Sequence, residues 1–379
     1  QEAREFLESG LAIGLEHDDF YIDSVKRIPD IVKLSPVIRY CTQNNIDFTL
    51  IHSGQHYDPE MDEVFFNDLD IKNPDINLRS SSEFNSNGYL DQTAVIMNKF
   101  KRVFMEELID IVLVLGDTSS ALAASIIARR LNLKLAHIES GLRSFDWRMP
   151  EEHNRVMIDH ISDLKFAPTK NAFNNLIKEN IPKNTIYLTG NTIVDAVHQN
   201  LDIAIKKSRI LTKLGLKQKF ILVTSHRPEN VDDPTRLSYI LEGISRVADT
   251  FNYILVFPAH PRTLKRMREF NIKPPKNIMF IDPPGYFDFL SLENSASLII
   301  TDSGGVQEEA CILKRPCVTI RETTERPETL NIGCNILAGV NPDRIVQCVK
   351  EMLHKHINYT NPFGDGKSST YIMKILEKA

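Results

Sequence analysis

A chain of 379 residues, 42% of them apolar, can bury the cores of about two domains at the usual ~150 residues each. With 45 Lys and Arg against 50 Asp and Glu, a net charge of −5 and a pI near 6.2, it carries no basic footprint for nucleic acid or an anionic membrane surface. Its longest apolar runs, such as 111–115, are strand-sized and far short of the roughly 20 residues that span a bilayer.

From the N-terminus, residues 1–19 hold six acids and one Arg, and 11–15 is too short for the apolar region of a signal peptide, so a cytoplasmic protein is expected. Short β-branched runs then follow at 48–53, 111–116, 133–138, 164–167 and 186–189, and a second series at 220–225, 254–258, 278–281, 298–301 and 317–320. They are continuously apolar and not alternating, as burial on both faces of a parallel sheet requires. Segments of helical period at 92–107, 121–131, 236–251 and 307–313 supply the crossovers. The fold class is α/β: two Rossmann-like, doubly wound domains joined near 190–207, with the ligand site expected in the cleft between them, at the carboxyl ends of strands. A turn at Pro362, Gly364 and Gly366 precedes a short amphipathic C-terminal helix. Cysteines at 41, 311, 317, 334 and 348 are odd in number with no CxxC pair, which predicts buried thiols, not disulfides or zinc.

The polar residues that follow the strands carry the chemistry. Gly116-Asp117-Thr118 ends one strand and Glu139-Ser140-Gly141-Leu142-Arg143 the next, so Asp117 and Glu139 are expected side by side. Neighbouring carboxylates in a cleft of low dielectric raise one another's pKa and suit proton exchange near neutral pH. Asp117 is equally placed to cap the helix starting near Ser119, and Glu139 to form a structural ion pair. Pro150-Glu151-Glu152 reads as a helix start. In the second half, Ser225-His226-Arg227 follows a buried strand, where His226 can give a proton to a phosphate leaving group and Arg227 can hold an anion. Thr301-Asp302-Ser303-Gly304-Gly305 runs from strand into helix, and its glycines let a phosphate approach a helix N-terminus. Arg321, Glu325 and Arg326 lie beyond the next strand, where an Arg can clamp a diphosphate. The histidines at 52, 56, 137, 153, 160 and 260 show no HxH or HExxH spacing, so no metal site is expected. These residues suit chemistry on a nucleotide-linked, phosphate-bearing small molecule.

Seven motifs occur in order: Gly116-Asp117-Thr118, His137-Ile138-Glu139-Ser140-Gly141-Leu142-Arg143-Ser144, Met149-Pro150-Glu151-Glu152-His153-Asn154-Arg155, Gly190-Asn191-Thr192, Ser225-His226-Arg227-Pro228-Glu229-Asn230, Asp302-Ser303-Gly304-Gly305-Val306-Gln307-Glu308-Glu309 and Asn361-Pro362-Phe363-Gly364-Asp365-Gly366. Together, from about Pro29 to the C-terminus, they closely resemble the non-hydrolysing UDP-N-acetylglucosamine 2-epimerases. The resemblance implies a glycosyltransferase-B-like pair of domains, 1–188 and a UDP-binding 189–365, with helix 366–379 packing back on the first. It implies interconversion of UDP-N-acetylglucosamine and UDP-N-acetylmannosamine through 2-acetamidoglucal, with no cofactor, in a homodimer. By motif position, Asp117, Glu139 and Glu151 resemble the acid/base carboxylates and His226 the histidine that assists the departing diphosphate. Lys33, Phe289, Ser303, Gly304, Gly305, Glu309 and Arg326 resemble substrate- or UDP-binding positions. Gln55 and His56 fall where bacterial members bind a second, activating substrate molecule. One segment departs from the family: Lys26-Arg27-Ile28-Pro29-Asp30 replaces GTRPE, placing Lys26 at a glycine and Ile28 at a substrate-facing Arg, and the resemblance sets the family's opening strand on Phe20-Tyr21-Ile22-Asp23-Ser24-Val25, where Asp23 and Ser24 would be buried. A UDP-sugar glycosyltransferase of the same fold, a hydrolysing relative and a catalytically silent UDP-sugar binding protein are the alternative readings.

Overall fold

Two separate parallel sheets organise the chain in the computed structural model, which describes residues 10–15, 29–53, 66, 68–78, 89–355 and 358–379. The described residues up to 196, together with 363–379, make an N-terminal unit, and 197–362 make a C-terminal unit.

In the N-terminal unit the strands are β1 (Gly10–Leu15), β2 (Phe48–His52), β3 (Ile76–Asn77), β4 (Ile109–Leu115), β5 (Lys134–Ile138), β6 (Leu164–Ala167) and β7 (Ile186–Leu188). Their order across the sheet is β3-β2-β1-β4-β5-β6-β7. This corrects one expectation. The strand between β2 and β4 is Gly10–Leu15, whereas 20–25 lies outside the described residues. The reason is compositional: Gly-Leu-Ala-Ile-Gly-Leu holds no acid or hydroxyl, while a strand over 20–25 would carry Asp23 and Ser24 into a sheet with two covered faces. Gln55, His56 and the 26–28 departure also lie outside the described residues.

Helices Tyr89–Glu106 and Ser119–Arg130 pack on this sheet through Ile96, Phe100, Val112, Val114, Ala123 and Leu135. Helix Ser368–Leu376 belongs to the same unit. Asp195 caps it, accepting from the Ser368 and Ser369 amides at 3.1 and 2.9 Å, and Met373 meets Cys41 of helix Pro29–Gln43.

The C-terminal unit holds β8 (Phe220–Thr224), β9 (Ile254–Pro258), β10 (Ile278–Ile281), β11 (Leu298–Thr301), β12 (Cys317–Thr319) and β13 (Asn335–Leu337), ordered β10-β9-β8-β11-β12-β13. Alternation along β8 shows why its sequence is apolar throughout. Ile221 and Val223 enter one core with Leu237, Ile240 and Ile345, while Phe220 and Leu222 enter another with Leu292, Val306 and Ala310. All five cysteines are free and buried.

One loop position is held to a single residue type. Gly141 has φ +82°, and a methyl group there would lie 2.3 Å from the Ala172 carbonyl oxygen and 2.8 Å from Leu176 Cγ. Gly141→Ala combines left-handed strain with overlap on backbone that cannot swing aside. It is expected to cost about 3–4 kcal/mol, read as a lowered denaturation midpoint, and a loss under about 1 kcal/mol would show that the loop is free to shift.

Candidate functional site

In a doubly wound sheet the ligand crevice opens at the carboxyl ends of the two strands where the order reverses. These are β1 and β4 in one unit and β8 and β11 in the other. The predicted site residues gather at or beside these ends in two groups.

In the first group, Leu115 of β4 pairs with Ile138 of β5, so Gly116-Asp117 and Glu139 leave the sheet together. Glu139 has φ +69°, in the left-handed region that costs a non-glycine residue about 1 kcal/mol or more. Its buried carboxylate accepts from Lys33 Nζ at 2.7 Å and from Asn191 Nδ2 at 3.0 Å. The space beside the Gly116 Cα is shared by two carboxylates: a Cβ there would lie 3.9 Å from both Asp30 Oδ1 and Glu139 Oε2. Asp117 does not cap the following helix, because Thr118 does so through the Ala121 amide. Its carboxylate is 30% exposed and pairs with Arg155, while Asn154 Nδ2 donates to its carbonyl at 2.9 Å.

The two acids that open helix Pro150–Ile161 divide the work. Buried Glu152 accepts from the Ser144 and Phe145 amides and from Arg155, and so holds the preceding loop. Glu151 is half-buried at the same end of the helix. Behind them, buried His137 bridges the Gly116 carbonyl and Asp159, each at 2.7 Å, and Asp159 also accepts from the Gly141 amide and pairs with Arg143.

In the second group, buried Asp302 organises the loop after β8. It accepts from Ser225 Oγ at 2.9 Å, from the His226 and Arg227 amides at 3.1 Å and from Asn230 Nδ2 at 3.0 Å, and lies 3.3 Å from His226 Nδ1. Ser303 occupies the N-cap of helix Gly304–Ile312 without capping it through its hydroxyl, and Gly304 and Gly305 form the first turn. Arg326 stands over that turn, with Nη2 4.0 Å from where a Gly304 Cβ would be, and donates from Nε to Glu308 at 2.5 Å. Gln307 ties the 321–326 loop to the helix by accepting from Thr324 Oγ1 at 2.6 Å. Arg321 chelates Glu325 at 2.7 and 2.9 Å. Burial pushes the Glu325 carboxyl up, but Arg321, Arg227 and Arg326 around it take it far below the ordinary carboxylate range. Arg326, over the N-terminal turn of this helix, is placed where an anion would meet both a guanidinium and helix amides.

Glu309 is buried in the second turn of the same helix. Phe289 is buried in the core with Leu222, Leu292 and Val306, the last from this same helix. Among the described residues no cluster of His, Cys, Asp and Glu is arranged to hold a metal ion. Sequence reasoning missed the supporting roles of Asn191, Asp302, Arg155 and Glu308. All four sit in or beside the quoted motifs, but only the fold shows whom they touch.

A family model described as UDP-N-acetylglucosamine 2-epimerase matches residues 39–377. The UDP-N-acetylglucosamine 2-epimerase of Methanocaldococcus jannaschii is 47% identical over 355 residues, covering 92% of this chain and 96% of that protein. The protein of the same name from Methanococcus maripaludis is 48% identical, with 92% and 95% covered. A crystal structure of the M. jannaschii UDP-GlcNAc 2-epimerase in complex with UDP-GlcNAc and UDP matches with a TM-score of 0.88 at 46% identity, covering 98% of this chain and all of that one. The chain belongs to the UDP-N-acetylglucosamine 2-epimerase family.

Proposed function

We propose that the protein interconverts UDP-N-acetylglucosamine and UDP-N-acetylmannosamine. The observation that carries the reading is Glu139, a buried carboxylate fixed in a left-handed conformation by Lys33 and Asn191, beside the strand end that bears Asp117. Residues of the C-terminal unit hold the nucleotide: Ser303, Gly304, Gly305 and Arg326 take the diphosphate and Glu309 the ribose hydroxyls. A carboxylate among Asp117, Glu139 and Glu151 removes the carbon 2 proton as the bond from carbon 1 to the UDP oxygen breaks, and His226 steadies the departing diphosphate. The product of that half-reaction is 2-acetamidoglucal, with a double bond between carbons 1 and 2. UDP then adds back to carbon 1 while a carboxylic acid delivers a proton to the other face of carbon 2. No net oxidation occurs, so the chemistry requires acids, bases and an anion seat, and no redox cofactor.

Proton NMR of UDP-N-acetylglucosamine in heavy water tests this. Deuterium at carbon 2 together with UDP-N-acetylmannosamine is expected. UDP binding without exchange would instead favour the silent sugar-nucleotide binder, with Ile28 in place of the family's Arg as its cause, and the Lys26→Gly, Ile28→Arg double variant would then gain activity. Free N-acetylmannosamine as product would mark the hydrolysing variant of the reaction.

Arg326→Ala is expected to weaken UDP binding by roughly 10- to 100-fold in calorimetry, from the loss of a charge-assisted bidentate donor. Unchanged affinity would remove Arg326 from the diphosphate seat. No helix among the described residues is long and apolar enough to cross a membrane. On the small net negative charge, a cytoplasmic location without nucleic-acid or membrane partners is proposed, and a homodimer is the assembly proposed, testable by light scattering.

A further inference from the structure

We infer that Asn335 is a positioning residue of the diphosphate seat, which fixes the backbone on both sides of Arg326 to the Ser303 carbonyl through a network of hydroxyls and amides. This rests on the reading of Ser303, Gly304, Gly305 and Arg326 as the residues that take the diphosphate. Asn335 opens β13 and lies outside all seven motifs. It is buried between Cys334 and Ile336, and a buried side-chain amide is costly unless its hydrogen bonds are made.

Those bonds are made, and their directions follow from one fixed acceptor. The Ser303 carbonyl can only accept, so Gln307 turns Nε2 toward it, at 3.2 Å. Gln307 Oε1 is thereby turned the other way, where it accepts from Thr324 Oγ1 at 2.6 Å and from Asn335 Nδ2 at 3.2 Å. Asn335 Nδ2 also donates to Thr329 Oγ1 at 3.1 Å, and Asn335 Oδ1 accepts from Thr319 Oγ1 at 2.8 Å. Gln307, Thr319 and Thr329 are fully buried, and none of these side chains titrates.

Two of these partners hold Arg326. Its amide donates to Thr324 Oγ1 at 3.0 Å, and its carbonyl accepts from Thr329 Oγ1 at 2.7 Å. Asn335 meets Thr329 directly and Thr324 through Gln307, and Gln307 lies on the helix whose first turn is Gly304-Gly305. The Arg326 guanidinium and the helix amides, which an anion would meet together, are therefore held to one another with Asn335 at the junction. An apolar residue could fill the same place in the sheet: Cys317, its register partner on β12, packs with Val306 and Ala310 of that helix. What the amide adds is the reach to Gln307 and Thr329.

Calorimetry of UDP with the full-length protein tests this. Asn335→Leu keeps the branching at Cγ and removes every donor and acceptor, and it is expected to weaken UDP binding roughly 10-fold, the loss of about two neutral hydrogen bonds. Affinity within about twofold of the parent would overturn the inference. The same change made in an Arg326→Ala background shows through whom Asn335 acts: it is expected to cost less than about twofold further, because the group it positions is gone. A further loss of roughly 10-fold would mark a general loosening of the unit and would also overturn it. Should Asn335→Leu fail to fold, Thr329 supplies the measurement. Thr329→Val loses the hydroxyl between Asn335 and the Arg326 carbonyl and is expected to weaken UDP binding roughly fivefold, while Thr329→Ser, which keeps it, retains the parental affinity. Equal affinities for these two variants would contradict the link. Arg326→Ala with parental affinity would overturn the diphosphate reading and the inference with it, whereas a weakened Arg326→Ala beside an unchanged Asn335→Leu overturns the inference alone.

Discussion

Glu139→Gln is expected to lower carbon 2 exchange by about 100- to 10,000-fold, the range that a positioned general acid or base supplies. Gln preserves shape and leaves an acceptor for Asn191, so the loss falls on proton transfer. UDP affinity is expected to stay within about threefold of the parent, because the residues assigned to the diphosphate lie in the other unit. The change also breaks the ion pair with Lys33, which is only 7% exposed. Removing one member of a buried pair is destabilising, so the single variant melts lower and a sceptic could blame unfolding. The Glu139→Gln, Lys33→Met pair separates the two effects. It removes both charges, so most of the stability is expected to return while exchange stays lost. Recovery of exchange alongside stability would show that Glu139 serves only as a partner for Lys33.

How far such a site can be read before folding depends on whether its signal is local. The strands of the C-terminal unit are legible because both faces of each are buried: Phe220 and Leu222 face one core while Ile221 and Val223 face the other, so no polar residue interrupts the run. Asp117, Glu139, His226 and Ser303 are legible for a related reason, since each lies within two residues of the end of such a run. The first strand is not. Residues 10–15 are too short and too rich in glycine to stand out as a strand, and only their pairing with Phe48–His52 and Ile109–Leu115 reveals them. The short β3 and β13 carry too little pattern to stand out, at two and three residues. Asn191 is 52 residues from the Glu139 carboxylate that it holds, and Asp302 is 72 to 77 residues from the donors it gathers. Such support is set by strand order, which no local window contains. His137 illustrates the same limit: its position in a motif is plain, but its partners, the Gly116 carbonyl and Asp159, are brought to its ring only by the fold.

Asp302 presents the largest stability effect expected in the C-terminal unit. It is fully buried at the end of β11 and gathers Ser225, His226, Arg227 and Asn230, so one carboxylate shapes the whole loop after β8. Asp302→Asn puts an amide N–H₂ in place of one oxygen. With the N–H₂ at the Oδ1 position, Oδ2 keeps Ser225, Arg227, Asn230 and the His226 amide, and only that amide also faces the new donor. One donor is crowded and the bonds to Oδ2 lose their charge assistance, giving an expected loss of about 2–3 kcal/mol. Asn230→Ala is the graded control. It removes one donor to Asp302 and one to the Ile320 carbonyl, and is expected to cost about 1–2 kcal/mol. Hydrogen exchange followed by mass spectrometry locates the effect: protection should fall in 220–231 and 298–312, with β4 and β5 unchanged. Function should follow the same division. With the His226 loop released, UDP binding is expected to weaken together with turnover, in contrast to Glu139→Gln, which spares binding. An Asp302→Asn protein within about 1 kcal/mol of the parent, binding UDP normally, would mean that the loop is held by its backbone contacts and that His226 needs no carboxylate to stay in place.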